Sequence, residues 1–269
     1  MTDDVANFSG EAQRTRRNII RMGAILASAA FARVASANTT VLPTARPLPT
    51  TKCLLSGTKI ETAEGERKVE DLAIGYRLPT MFGGMRPIQW IGCYRLKKTD
   101  PSRPWAKDAM PVRIARSALG PDVPRADLYV TGGHALFIDG LLIPAGNLIN
   151  GATITRHEAR EYDELEFFHV KLEGHDVIYA EGVAVETLLR VDEGAVNFAD
   201  YFRRYGTQGS EEASCAPRVS YGGGRGEFRS RFRSALSPWL DRREPIDVIR
   251  DRLEERGINL SRLSEPAPA

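Results

Sequence analysis

No helical period survives three turns between residue 53 and about residue 190; short apolar runs recur there instead, separated by turn signals. That pattern restricts the region to an all-β fold, with strands expected over 59–62, 86–94, 110–114, 128–131, 135–138, 167–172 and 176–180. Asp139-Gly140 and Asn150-Gly151 fit tight hairpins, because both positions of each pair tolerate positive φ. Residues 115–119 and 145–148 read as single helical turns, so helix is a minor component.

The flanks differ in composition. Residues 15–37 carry the pair Arg16-Arg17, then Ile19, Ile20 and Arg21, an apolar run over 22–32, and small residues at Ala35 and Ala37. This is the pattern of an export signal over 1–37, of the twin-arginine kind, and implies a periplasmic or extracellular destination; without it the chain stays cytoplasmic. The apolar run is too short for the roughly 20 residues that a membrane-spanning helix needs, so no stable span is expected. Residues 38–52 hold three prolines and five threonines and read as an extended tether. The ordered domain is expected over 53–202, followed by a Gly/Ser-rich flexible linker over 203–228 containing Cys215. An Arg-rich tail over 229–269 includes an amphipathic helix from Pro245 to a stop at Gly257.

Charge excludes little but directs nothing. With 37 basic and 35 acidic side chains the net charge is +2, which gives no field demanding nucleic acid. The three cysteines, Cys53, Cys93 and Cys215, are too few for a disulfide framework, and an odd count leaves at least one thiol free.

Three stretches of the β region carry chemistry. Cys53, directly after the tether, is followed by Ser56-Gly57-Thr58; Thr131-Gly-Gly-His134 follows a strand; and His175 precedes a small-residue turn before the final strand. A peptide amide is a poor electrophile, so a domain that opens its own upstream bond needs a nucleophile at the junction. The Cys53 sulfur can attack the Lys52 carbonyl and exchange the amide for a thioester once a base ionises the thiol and an acid protonates the departing nitrogen. His134 is the proton donor of choice, Thr131 can hold the junction, and His175 is a further candidate. Tethering supplies the rest, since groups held at near-attack distance gain several kcal/mol over an intermolecular reaction.

The ordered set, a leading Cys with a nearby Gly-Thr, then Thr-x-x-His, then a late His, resembles the Hint fold shared by hedgehog autoprocessing domains and inteins, in its bacterial form. The resemblance covers about 135 residues and implies a compact β fold with pseudo-twofold halves that bring the chain ends together, plus here a short C-terminal helix. It also offers Asp108, upstream of Thr-x-x-His, as a group to activate the incoming nucleophile. Inteins finish with a histidine and an asparagine whose side-chain amide cyclises; here Glu186-Thr187 stand in that region and neither can do so, which disfavours full splicing. The expected reaction is the half reaction, with the chain's own upstream peptide as substrate and water or a thiol as acceptor. No cofactor is implied.

Blander readings stand beside these. His169, alternating with apolar neighbours, reads as a structural histidine, Asp127 as a strand start, and the run 225–243 as a solvated face. The whole domain reads alternatively as a processing-inactive binding or adhesive module of the same fold, or, through Cys53, His134 and His175, as a metal site whose spacing matches no ordinary zinc pattern. Export of folded protein adds a tension: fast cleavage at Cys53 would detach the signal before transport.

Overall fold

A computed structural model describes residues 40–43, 52–189, 199–205, 213–221, 224–237 and 241–264. All of them belong to the unit Asn38–Ala269, and the export signal expected over 1–37 lies outside the described residues. Among the described residues no helix is long and apolar enough to cross a membrane.

Among the described residues fifteen strands appear in chain order. Strand β1 (Thr40–Pro43) and β2 (Leu54–Leu55) precede the hairpin of β3 (Lys59–Thr62) and β4 (Gly65–Lys68). Strands β5 (Arg77–Thr80) and β6 (Gly84–Pro87) form a second hairpin, and β7 (Trp90–Lys97) leads to β8 (Val112–Ile114) and β9 (Leu128–Val130). The hairpin of β10 (Ala135–Ile138) and β11 (Leu141–Pro144) is followed by β12 (Ile154–Arg156), β13 (Glu164–Lys171), β14 (Val177–Ala180) and β15 (Val183–Glu186). Three helices come last: α1 (Ala199–Tyr205), α2 (Gly224–Leu236) and α3 (Pro245–Ser264).

The strands build a seven-stranded sheet, ordered β1-β7-β13-β2-β9-β8-β12, and a six-stranded sheet, ordered β11-β10-β15-β14-β3-β4. Strands β5 and β6 form a small sheet of their own, and none of the three closes into a barrel. The fold is therefore mostly β, as the turn-punctuated sequence requires. Two-residue loops join β10 to β11 and β14 to β15; Asp139-Gly140 and Glu181-Gly182 sit at positive φ in both positions, the twist that flanking antiparallel strands need.

Both large sheets feed one core. Leu54 and Val130 from the seven-stranded sheet and Ile60, Leu136 and Ile178 from the six-stranded sheet are buried together, and α3 adds Ile246, Ile249 and Leu253. Burying a Leu, Ile or Val side chain contributes roughly 1.5–3 kcal/mol, so these contacts make α3 part of the domain. A second apolar cluster gathers Trp90, Tyr94, Trp105, Phe167 and, from α1, Tyr201 around Cys53.

Several elements depart from the sequence reading, each for a local reason. The strand expected over 86–94 is two strands, because the backbone changes partner between them: Ile88 N–H donates to the Tyr76 carbonyl and Gln89 N–H to that of Lys171. Asn150-Gly151 is a turn inside a loop, where the Asn150 Oδ1 accepts the N–H groups of Ala152, Thr153 and Ile154. Helix α3 runs past Gly257 instead of stopping there. A Cβ on Gly257 would lie 3.2–3.3 Å from Asn150, Ala152 and Thr153, so the glycine serves close approach of the helix to that loop. Helix α2 spans residues read as linker and Arg-rich tail; its Ser230 is fully buried against Asp247 of α3.

Candidate functional site

The site begins with where β2 lies. This two-residue strand is inserted between β9 and β13, with Leu54 opposite Val130 on one side and Phe168 on the other. One residue earlier, Cys53 therefore falls between the residue that follows β9, Thr131, and His169 of β13. Pairing between distant strands thus assembles side chains that no local spacing connects.

Thr131 holds the Lys52–Cys53 junction directly. Its hydroxyl accepts the Cys53 backbone N–H at 2.9 Å, and its own N–H donates to the Cys53 carbonyl at 2.9 Å. The Cys53 sulfur, fully buried, hydrogen-bonds the Nε2 of His169. His169, read from the sequence as structural, is thus the group in contact with the thiol.

The His134 ring lies near the backbone of Lys52. The His134 backbone N–H donates to the Thr131 carbonyl at 3.0 Å, its carbonyl accepts Ala145 N–H at 2.9 Å, and Gly146 N–H anchors the Gly132 carbonyl at 2.9 Å. The Thr131–His134 loop is thereby fixed from behind. Neither ring nitrogen of His134 makes a hydrogen bond of good geometry. Burial lowers its pKa to about 4, while the charge of Glu186 and the Lys52 backbone favour the proton and the charge of Lys52 opposes it. Burial likewise takes His169 down to about 3, helped by the charges of His134 and Lys52. Both imidazoles are neutral at pH 7.

Glu186, at the end of β15, ties the periphery together. Its Oε1 accepts Ala135 N–H at 2.8 Å, and both oxygens accept from Arg218 Nη1 at 2.7 Å. Lys52 Nζ lies 3.5 Å and His175 Nε2 3.7 Å from Oε2. Burial works to raise the Glu186 pKa, but the nearby His175 ring and the charges of His134, Lys52 and Arg218 outweigh it and leave the carboxyl at about 2. His175 itself accepts Cys215 N–H at Nδ1, 3.0 Å away. It joins the arrangement through Glu186 and not through the thiol.

Arg218 and Cys215 belong to residues 213–221, within the run read as a linker. This segment lies along β11: Leu142 N–H donates to the Pro217 carbonyl and Val219 N–H to that of Leu142. The other two acids considered are peripheral. Asp127 accepts from Arg113 and from Arg116 N–H, and Asp108 is exposed on a turn. Among the described residues no group of three or more His, Cys, Asp or Glu side chains is placed to hold a metal ion, and none of the three cysteines forms a disulfide.

The sequence pattern of the Hint domain matches residues 52–192, and the chain belongs to that family. The match starts one residue before Cys53 and ends six after Glu186, so the arrangement above lies within it except for residues 213–221. Family membership supports a general capacity for autoprocessing, because Hint domains act on their own chain. Among solved structures, the chain is similar to a DnaB intein from Synechocystis sp. PCC 6803, with 14% identity, coverage of 51% of this chain and 99% of that one, and a TM-score of 0.36. It is also similar to a bacterial intein-like domain from Clostridium thermocellum, at 14% identity, 51% and 99% coverage and a TM-score of 0.35. No curated protein matches the chain.

Proposed function

We propose that this protein is a self-processing Hint domain that cleaves its own Lys52–Cys53 peptide bond by an N-to-S acyl shift and resolves the thioester without splicing. The observation that carries this reading is the Thr131 hydroxyl on the scissile N–H, with a histidine on the adjoining sulfur. Neutral His169 takes the thiol proton as the sulfur attacks the Lys52 carbonyl carbon. The proton held by His169 is relayed to neutral His134, and the imidazolium so formed delivers it to the Cys53 nitrogen as the carbon–nitrogen bond breaks, so the net change is one proton moved from sulfur to nitrogen. An imidazolium whose pKa is about 4 is a strong acid and passes its proton on readily. The Thr131 hydrogen bond strengthens as the nitrogen becomes a cationic amine, which favours the transition state over the resting amide. Water or an external thiol then attacks the thioester, frees the upstream peptide and restores the Cys53 thiol.

The downstream end supports a half reaction. Glu186 is engaged by Arg218 and Ala135, and the Thr187 hydroxyl exchanges hydrogen bonds with the Asp176 backbone; neither offers a cyclising amide. Residues 1–37 act in this reading as the export signal, so the domain works outside the cytoplasm. A processing-inactive module of the same fold is the second reading, favoured by the complete burial of Cys53.

Intact-mass analysis of the purified chain with and without dithiothreitol tests the proposal. A thiol-dependent fragment beginning at Cys53, absent from Cys53→Ala, supports it. A chain that keeps its full mass under both conditions points to the inactive module.

A further inference from the structure

The geometry points to a subsite for the residue on the acyl side of the scissile bond: we infer that Glu186, fixed by Arg218, selects a cationic side chain at position 52. This inference rests on the self-cleavage reading above and specifies which upstream sequences the domain accepts.

The argument is one of satisfiability. A carboxylate offers about four lone-pair sites. On Glu186, Ala135 N–H takes one and Arg218 Nη1 reaches both oxygens, which leaves an acceptor site on Oε2. The Glu186 side chain is 1% exposed, so bulk water does not reach that site. His175 Nε2 stands at 3.7 Å, beyond hydrogen-bond length, and has no hydrogen-bond partner. Lys52 Nζ, at 3.5 Å and with its side chain only 21% exposed, is the cation directed at the vacant position. An apolar residue at 52 would leave the buried acceptor unmet, and an acidic one would set two carboxylates against each other.

The subsite is also wired to the reacting groups. Arg218 Nη2 donates to the Gly133 carbonyl at 2.7 Å, and the Ala135 N–H that binds Glu186 directly follows His134. A side chain seated on Glu186 therefore holds the Lys52 carbonyl against the loop that carries Thr131 and His134. Arg218 lies outside the residues matched by the family pattern.

The test is a cycle of substitutions in the full chain, read as the rate of dithiothreitol-induced cleavage. Lys52→Arg is expected to cleave within about 3-fold of the parent, Lys52→Met about 10-fold more slowly, and Lys52→Glu about 100-fold more slowly. In the Glu186→Gln background, Lys and Met at position 52 are expected to differ by less than about 2-fold. Equal rates for Lys52→Met and the parent, or the same slowing in both backgrounds, would overturn the subsite. A parent that cleaves under no condition removes the self-cleavage reading alone, and melting of the Cys53→Ala chain then judges the subsite. There Lys52→Met is expected to lower Tm by about 3 °C only while Glu186 is present; no drop, or an equal drop with Glu186→Gln, overturns it.

Discussion

Cys53 and Thr131 grip each other through two reciprocal hydrogen bonds, N–H to hydroxyl and N–H to carbonyl, both at 2.9 Å. The Cys53 nitrogen is thus oriented by a side chain whose removal leaves the backbone pairing intact. Thr131→Val is expected to slow formation of the Cys53 fragment by about 10- to 100-fold, the equivalent of one hydrogen bond to a group gaining charge. Thr131→Ser, which keeps the oxygen, should stay within a few-fold of the parent. A time course by mass spectrometry compares the two.

His169 contacts the sulfur and is neutral over a wide range, which gives the reaction an unusual pH profile. With saturating thiol, the rate of the first step should change by less than about 3-fold between pH 7.5 and 5.5, because neither imidazole takes up a proton until far lower pH. An ordinary histidine would cost about 10-fold over that interval. His169→Asn should slow the step by about 100-fold, within the span usual for loss of a general base.

Acid should unfold the domain early. The unfolded chain protonates His134 near pH 6.5, whereas the folded one does so only near 4. Between those values the unfolded state binds more protons, so stability falls as pH drops, by on the order of 3 kcal/mol for this residue. Glu186 acts in the same sense at lower pH, with a folded value of about 2 against 4.5. Urea melts at pH 7.5, 5.5 and 4.5 should show the decline, and His134→Gln should flatten its upper part.

Gly146 guards the position of the reacting loop. A Cβ there would lie 3.1 Å from the Gly132 carbonyl oxygen, backbone that cannot swing aside, on the same pair joined by a 2.9 Å hydrogen bond. Gly146→Ala should destabilise the chain by about 1–2 kcal/mol, as overpacking does, and slow cleavage more than that loss alone explains. Denaturation and cleavage rate measured together separate the two effects.

The β class, Cys53, and the Thr131–His134 loop were legible because each is written locally: turn residues, a composition shift at the tether, and a three-residue spacing. His169 was not, since its neighbour is set by β13 lying beside β2, a pairing of residues far apart in the chain. One signal existed, a histidine set between Phe168 and Val170 in the apolar middle of a strand pattern. Glu186 was read for what it lacks, an asparagine's amide, while its role as a hub appears only once Lys52, His175 and Arg218 meet around it. Gly257 misled because glycine ends helices and also lets them approach a surface; only the loop 150–153 pressed against α3 separates those uses. Residues 213–221 hide in low-complexity sequence because their order comes from the backbone of β11 and from Arg218 on Glu186, contacts that no local pattern announces.

That segment has a practical consequence for anyone trimming the gene. A recombinant piece ended at residue 192, where family likeness stops, would delete the guanidinium that neutralises Glu186 and the amide that steadies His175. The orphaned acid would hold its proton to higher pH in a dry interior. Silence from such a shortened piece would report the surgery, not the native molecule.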